Sequence, residues 1–414
     1  MASLALSLLP WLLPTVAVVL VLMWRSLQVS RYVQRQHTSV NNEKAVSSDP
    51  YADIEPLLEF DWSTTTPIKI RPFKPRYHLT MALETCPLPE LVAIDDTYLE
   101  RMALRRSVLD DHPKETYLCN DPCTEAVFEV YAWMFGTYLP QRYPTMYTLV
   151  DQYEGTVDSK QQRRSLYNIP ANKYIPLEAP SAMEALYILG CHVDTDILIL
   201  LPSSTAADGS PIYHLEAFVC CFPSGFKTQE KLGLPLADIH KPVPGYKAKI
   251  EKSMDRFFAK MELGKAVRRA NWAITTDISL YSQGGTHMYE DGKTEETGEN
   301  EGEVTGRKVV ENRKTLNVDA PDVEESIEQQ KKNVRIEDCR LRCERQTLHR
   351  LTKTKALAFM FKTYQYKLED VKAEGSGPEL ADAIAGLALG SVPDMAFYKR
   401  QVVWGDKVVE YLRS

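Results

Sequence analysis

The stretch that decides the fold is residues 339–351, CRLRCERQTLHRL, together with residues 355–368, KALAFMFKTYQYKL. Both are rich in the apolar, aromatic and β-branched residues that favour strands. The short polar segment between them, residues 352–355, is typical of a turn. The two stretches therefore predict a pair of antiparallel strands that are neighbours in one sheet.

Other stretches complete a mixed pattern of strands and helices. Short apolar runs predict three further strands, at residues 194–203, 213–224 and 268–281. Apolar residues recur at helical spacing in residues 95–112, 121–139, 246–261, 377–389 and 394–412. Helices are thus predicted near both ends of the chain, with an antiparallel sheet between them. This segregated order predicts an α+β fold.

The composition excludes several kinds of site. The 414 residues carry a net charge of -7, which gives no sign of nucleic-acid binding. The chain has no G-x-G-x-x-G and no G-x-x-x-x-G-K-[ST] motif, so we expect no nicotinamide or nucleotide site of its own. Its eight cysteines show no C-x2-C spacing, and no two of its eight histidines are four residues apart. We expect buried, reduced thiols and no metal site built on two histidines of one helix.

The first residues predict a membrane anchor. Leu4–Trp24 contains no charged residue and has the length of a bilayer-spanning helix. Arg25, Arg31 and Arg35 follow this segment and no basic residue precedes it, which places the C-terminal side in the cytosol. A cleaved signal peptide is the alternative. We predict a single-pass membrane protein of the endoplasmic reticulum with a cytosolic body.

The predicted domain boundaries follow the composition. Residues 1–30 form the anchor with its basic flank, residues 31–64 a polar tether, and residues 65–414 one domain. Inside that domain, residues 284–333 are acidic at first and then polar throughout. Such a segment adds little to a core, so we predict a disordered surface insertion there.

One histidine, His240, stands out by its context, KLGLPLADIHKPVPGY at residues 231–246. Pro235 suits the first turn of a short helix, and Pro242 disfavours helical geometry at the residue before it. His240 is therefore predicted at a helix C-terminus, on a stiff corner. It could cap the helix there, or be a metal or cofactor ligand whose direction the backbone fixes. Spacing alone leaves both interpretations open.

Two polar clusters are candidates for binding an anionic group. Residues 268–272 read RRANW, and residues 342–347 read RCERQT. If the second cluster is a strand, Arg345 lies on the face opposite Glu344 and Gln346. Guanidinium groups suit a carboxylate or a bound oxygen, and cross-strand ion pairs on a solvated face are the alternative.

Five blocks of the sequence occur in an order that resembles one family. They are RPFKPRYHLTMALE (71–84), ELVAIDDTYLERMALRRSVL (90–109), FPSGFKTQEKLGLPLADIHKPVPGY (222–246), RANW (269–272) and LRCERQTLHRL (341–351). From about residue 68 to 368, without the acidic insertion, the chain resembles the haem-dependent oxidative N-demethylase-like family, whose fungal members are also called HRQ-family proteins. Thr352 departs from the family, which usually has proline there, and the anchor and insertion are not part of the bacterial pattern.

The resemblance implies a haem-binding domain with a PAS-like antiparallel sheet. It implies a haem-dependent monooxygenase that oxidises a small amine with O2, and electrons that come from NADPH through a separate flavin reductase. His240 would be the axial ligand of the haem iron, and Arg345 the catalytic candidate. The residues carried over as cofactor-binding pocket walls are Arg269, Asn271, Trp272, Arg345 and Gln346. The substrate itself is not carried over.

Two other functions fit the same residues. The chain could be a non-catalytic haem-based sensor of gas or redox state, which keeps His240 and has no substrate cavity. It could also be an interaction protein in which His240 only ends a helix.

Overall fold

In a computed structural model of the chain, residues 50–154, 161–288 and 321–414 are described. The strands are β1 (Glu84–Cys86), β2 (Tyr117–Cys119), β3 (Tyr147–Glu154), β4 (Gln161–Asn168), β5 (Lys173–Pro176), β6 (Asp196–Thr205), β7 (Pro211–Val219), β8 (Ala266–Thr275), β9 (Arg340–Arg350) and β10 (Leu357–Lys367). Seven of them form one antiparallel sheet in the order β1-β8-β9-β10-β6-β7-β2, and β3, β4 and β5 form a second.

Helices lie between β1 and β6, between β7 and β8, and between β8 and β9, and others close the chain. They are α1 (Tyr98–Asp111), α2 (Pro113–Thr116), α3 (Thr124–Trp133), α4 (Leu139–Arg142), α5 (Ala182–His192), α6 (Leu236–Ile239), α7 (Tyr246–Lys249), α8 (Glu251–Lys260), α9 (Pro321–Asn333), α10 (Leu368–Ala373), α11 (Gly377–Ala385), α12 (Met395–Tyr398) and α13 (Gln401–Arg413). A π-helical stretch, Met134–Tyr138, joins α3 to α4. The predicted α+β class is confirmed.

Strand β9 is an inner strand of the main sheet. It pairs with β10 from Arg350↔Leu357 to Arg340↔Lys367, so the predicted strand pair is confirmed. On its other side it pairs with β8 along the whole length of β8. Cys343 of β9 packs in a core with Trp404 of α13, whereas Leu348 packs in a different core with Phe258 of α8. Strand β9 is thus buried on both faces.

The second sheet and the edge strands β1 and β2 are not predicted from the sequence. Strand β4 reads QQRRSLYN, which lacks a clear apolar alternation, and β1 and β2 have three residues each. The second sheet is held by a few deeply buried residues such as Leu166 and Ile175, which join the main core. Tertiary packing, not local pattern, places these strands.

Two described segments lie inside the predicted tether and the predicted insertion. Tyr51 and Ile54, inside the predicted polar tether, are buried, and the Tyr51 hydroxyl donates to the Arg350 carbonyl at 2.7 Å. One compact unit of the chain spans Tyr51–Ser414. Helix α9, whose Ile327 is buried, lies within the predicted insertion at residues 284–333.

One predicted helix is also corrected. The stretch 246–261 forms two helices, α7 and α8, because Ile250 between them has φ −121° and ψ −39°, which is outside the helical range. The apolar stripe of the sequence is real, but it continues across this break. Ile250 and Phe258 are both buried.

The predicted membrane anchor is not supported. Within the described ranges, no helix is both long enough and apolar enough to cross a membrane. The longest of them, α1, has 14 residues, whereas a spanning helix needs about 20. This finding contradicts the predicted transmembrane helix and the predicted localisation. Leu4–Trp24, on which both predictions rested, lies outside the described residues.

A network of buried charges fastens the first helix to the sheet. Asp194, just before β6, lies 2.7 Å from the guanidinium of Arg101 of α1 and 2.9 Å from the ammonium of Lys362 of β10. Lys362 also lies 2.6 Å from Asp95, which precedes α1. Burial raises the pKa of Asp194, but the charges of Arg101 and Lys362 outweigh it and bring this pKa down to about 2.

We expect Asp194→Ala to lower the free energy of unfolding by about 3 kcal/mol, since it leaves the buried guanidinium of Arg101 without a counter charge. Urea unfolding followed by circular dichroism measures the change. Because the folded pKa lies below the unfolded value of about 3.9, the stabilising effect is complete above about pH 4 and is lost as the pH falls toward about 2.

The matched control is Asp382→Ala. Asp382 is 61% exposed and pairs with Arg413 on the surface, so its loss should cost less than about 1 kcal/mol. Equal effects of the two variants would show that the buried network does not hold the helix.

Candidate functional site

A cavity of about 290 Å³ lies against the main sheet. Its wall is formed by residues of β6, β8, β9 and β10, by the helices that connect β7 to β8, and by the C-terminal part of the chain. Most of these side chains are apolar, among them Leu198, Leu215, Ile239, Met254, Phe258 and Phe361. An apolar cavity with a few polar groups is the usual form of a small-molecule or cofactor site.

His240 lines this cavity from the end of α6. Its backbone N–H donates to the carbonyl oxygen of Leu236 at 3.0 Å, and its Nδ1 lies 2.8 Å from the same oxygen. A carbonyl oxygen only accepts, so the ring hydrogen is on Nδ1 and the lone pair is on Nε2. No described residue forms a hydrogen bond with Nε2.

The charge state of His240 suits a metal ligand. Burial lowers the pKa of His240 to about 4, and the nearby charges of Lys231 and Arg269 act in the same direction. The hydrogen bond to Leu236 opposes this shift but does not cancel it. At neutral pH the ring is therefore a neutral imidazole, the form that binds metals.

The chain around His240 fixes the direction of the ring. The ring stacks on Tyr246 with 4.8 Å between centroids and 14° between planes. Gly245 has a φ of +75°, and a Cβ there would lie 2.7 Å from Cγ2 of Val392. The predicted stiff corner at a helix C-terminus is confirmed.

Four polar side chains of β8 and β9 form one patch on the cavity wall: Arg269, Asn271, Glu344 and Gln346. The register places Arg269 opposite Gln346, and Asn271 opposite Glu344. Oε2 of Glu344 accepts from the amide of Gln346 at 2.7 Å and from the amide of Asn271 at 3.4 Å. The patch thus contains one cation, Arg269, and one anion, Glu344, and the two amides hold the anion.

Arg269 is a cation without a partner. It forms no hydrogen bond or ion pair with any described residue, and its Nε is buried. Burial lowers the pKa of Arg269, while Tyr77 and Glu344 oppose that shift. A buried guanidinium without a counter charge is costly, so this position is suited to an anionic ligand.

Lys399 adds a second cation to the same wall. Its Nζ donates to the carbonyl of Trp272 at 2.5 Å and to Oδ1 of Asn271 at 3.4 Å. Burial lowers the pKa of Lys399 to about 8, with Glu344 opposing the shift. The ammonium is therefore charged at neutral pH, although it lies deep in the protein.

A comparison with protein families decides the identity of the chain. The model of the family described as haem-dependent oxidative N-demethylase, alpha subunit-like, matches residues 82–409. The chain belongs to this family. Membership supports haem as the cofactor, and the matched range contains every cavity residue discussed above except Tyr77. No curated protein is similar enough to the chain to count as a relative.

Two residues carried over from the resemblance do not line the cavity in this family member. Trp272 packs edge-on against Phe73 at 6.1 Å, and Arg345 donates to the carbonyl of Leu91 at 3.2 Å. Both lie one position away from wall residues on β8 and β9, so alternation turns them to the other face. Neither side chain is among the residues that line this cavity, and the roles predicted for both stay predictions.

Several wall residues are not singled out by the sequence. His287 lies on the segment after β8, and its ring stacks on Tyr398 at 4.4 Å and lies 4.8 Å from Phe226. Burial holds the pKa of His287 well below its usual range. These residues and Lys399 meet only because distant segments fold together. Glu344 could have been found, since it shares a strand face with Gln346.

We expect Gly245→Ala to lower the free energy of unfolding more than Gly209→Ala. Both glycines have positive φ, +75° and +83°, so each alanine costs about 1 kcal/mol of backbone strain. Only at Gly245 would the new Cβ meet a neighbour, Val392 at 2.7 Å, whereas nothing lies within 4 Å at Gly209. Urea unfolding of both variants measures the difference, which we expect at about 1–3 kcal/mol. Equal losses would contradict tight packing at the His240 corner.

Proposed function

We propose that the cavity holds a haem whose iron is bound by Nε2 of His240. The protein would be a monooxygenase that oxidises a small amine with O2 and electrons supplied from outside. One observation carries the proposal: an oriented, neutral imidazole presents an unpartnered Nε2 on the wall of an apolar cavity, in a chain of a haem-dependent family.

The charges of the wall fit a haem, whose two propionates are anionic. Arg269 has no partner among the described residues, and Lys231 and Lys399 also line the cavity. Arg268 lines it too, but pairs with glutamates outside the wall. Glu344 is the sole carboxylate of the described lining. The surplus of positive charge suits the propionates, and the apolar remainder suits the macrocycle.

When bound, the haem would supply the activation of O2 for oxidation at a carbon next to nitrogen. His240 would hold the iron, and the hydrogen bond from its Nδ1 to Leu236 keeps the ring in one tautomer and direction. Arg269 and Lys399 would bind the propionates as charge-assisted donors. The leucine and phenylalanine side chains of the wall exclude water from the reacting groups.

Electrons and co-substrates would come from partners. The sequence has no nucleotide-binding motif, which supports NADPH as an indirect donor acting through a separate flavin reductase. The other partners in this proposal are O2 and a small-molecule amine.

We also propose that the central part of the main sheet is PAS-like. The strands β7-β6-β10-β9-β8 are consecutive neighbours. The helices that carry His240 connect β7 to β8, which are the two ends of this five-stranded part. This arrangement, with a cavity between the sheet and a helical arm, supports the resemblance on which the expectation rested.

We expect the purified full chain, supplied with haem, to show a Soret band, and His240→Ala to lose it or to show altered ligation. Removing the imidazole of His240 would remove the side chain proposed to hold the iron. Ultraviolet–visible spectra of both proteins measure this.

His78→Ala is the control, because His78 is exposed and lies outside the cavity wall. An unchanged Soret band in His240→Ala would remove His240 as ligand, and no Soret band in the wild type would refute the haem site. A Soret band without amine-dependent O2 consumption would favour a sensor.

We expect Arg269→Met to speed haem loss about tenfold to a hundredfold, because a charged hydrogen bond to a propionate is lost. Transfer of haem to apomyoglobin measures the rate. Arg268→Met is the matched neighbour, and its effect should be smaller, since this guanidinium is bound by Glu84 and Glu90. Equal rates for the two variants would contradict a propionate contact at Arg269.

A further inference from the structure

Glu344 is a buried carboxylate that forms no ion pair with any described residue. Its side chain is on the cavity wall, and the residue is 7% exposed. Arg269 and Lys399 lie on the same wall, yet neither forms an ion pair with Glu344 within 4 Å. The described residues that touch this carboxylate are the neutral amides of Gln346 and Asn271.

Both amides bind the same oxygen, Oε2. They fix the plane of the carboxylate, and no described residue donates to Oε1. A buried carboxylate oxygen without a hydrogen-bond donor is costly unless a ligand supplies the donor. The arrangement therefore leaves one oriented acceptor on the wall of the cavity.

We propose that Oε1 of Glu344 accepts a hydrogen bond from the protonated nitrogen of the amine substrate. A single free acceptor recognises an ammonium ion that carries at least one N–H. A quaternary ammonium ion has the same charge and no donor, so it binds more weakly. The identity of this ligand as a substrate rests on the proposed function, whereas its binding rests on the contacts of Glu344.

The substrate class is thus a primary, secondary or tertiary alkylamine in its protonated form. The apolar wall around the patch accepts the alkyl groups. Arg269 and Lys399 repel an ammonium ion that is placed elsewhere along the patch, which confines the charged nitrogen to the side of Glu344.

The test is calorimetric titration of the full chain, supplied with haem, at pH 7 with trimethylammonium chloride and with tetramethylammonium chloride. Trimethylammonium has one N–H at the position where tetramethylammonium has a fourth methyl group. We expect trimethylammonium to bind about tenfold to a hundredfold more tightly. We expect Glu344→Gln, which keeps the shape and removes the charge, to weaken trimethylammonium binding and reduce this preference, because a neutral amide oxygen is a weaker acceptor than a carboxylate.

Glu328→Gln is the matched control, since Glu328 is exposed and pairs with Lys331 away from the cavity. Trimethylammonium binding that is unchanged in Glu344→Gln would overturn the proposal, and so would equal affinities of the two probes for the wild type. If Glu344→Gln does not fold, the wild type is titrated with tert-butanol, a neutral compound of similar shape. Affinity equal to that of trimethylammonium would overturn the proposal as well.

The Soret band separates this inference from the proposed function. A chain that binds haem and shows no preference for trimethylammonium refutes the role of Glu344 alone. A chain without a Soret band that still prefers trimethylammonium through Glu344 refutes the haem proposal and supports the ammonium site.

Discussion

The register between β8 and β9 is the constraint on which the rest of the site depends. It sets Arg269 beside Gln346 and Asn271 beside Glu344, with all four side chains on the cavity wall. A shift of one strand by a single residue would turn its side chains to the other face. The register is held from that other face, where Cys343 packs in the core of the C-terminal helices. The packing of one face therefore decides the chemistry of the other.

The buried charges of the protein fall into two groups with different roles. Arg105 and Asp196 lie 2.7 Å apart and are almost fully buried, so the cost of taking each charge from water is offset by its partner. Arg269 and Glu344 lie on one wall, are diagonal neighbours in the ladder, and form no ion pair. The first group stabilises the fold, whereas the second leaves both charges without an ion pair on the wall of a cavity.

The sequence predicted the central strands, the helical arm and the corner at His240, because each has a strong local signal. The alternation along β9 was also predictable, and it separates Arg345 from Glu344 as expected. The alternation does not show which face of β9 lines the cavity, because both faces of β9 are covered. The sequence alone therefore offers no reason to prefer Glu344 to Arg345 as a residue of the cavity wall. The positions of His287 and Lys399 depend on contacts between distant segments, which no local pattern encodes.

A comparison of two histidines shows what makes His240 a candidate ligand. Burial lowers the pKa of both His240 and His349 to about 4, so the charge state does not distinguish them. His349 is 1% exposed, lies against Tyr51 and Trp133, and has no hydrogen bond at either ring nitrogen. It lies away from the cavity wall. His240 differs because a carbonyl holds its Nδ1 and directs its Nε2 to a cavity. Orientation of a ring nitrogen toward open space, rather than burial, is what allows an imidazole to act as a ligand.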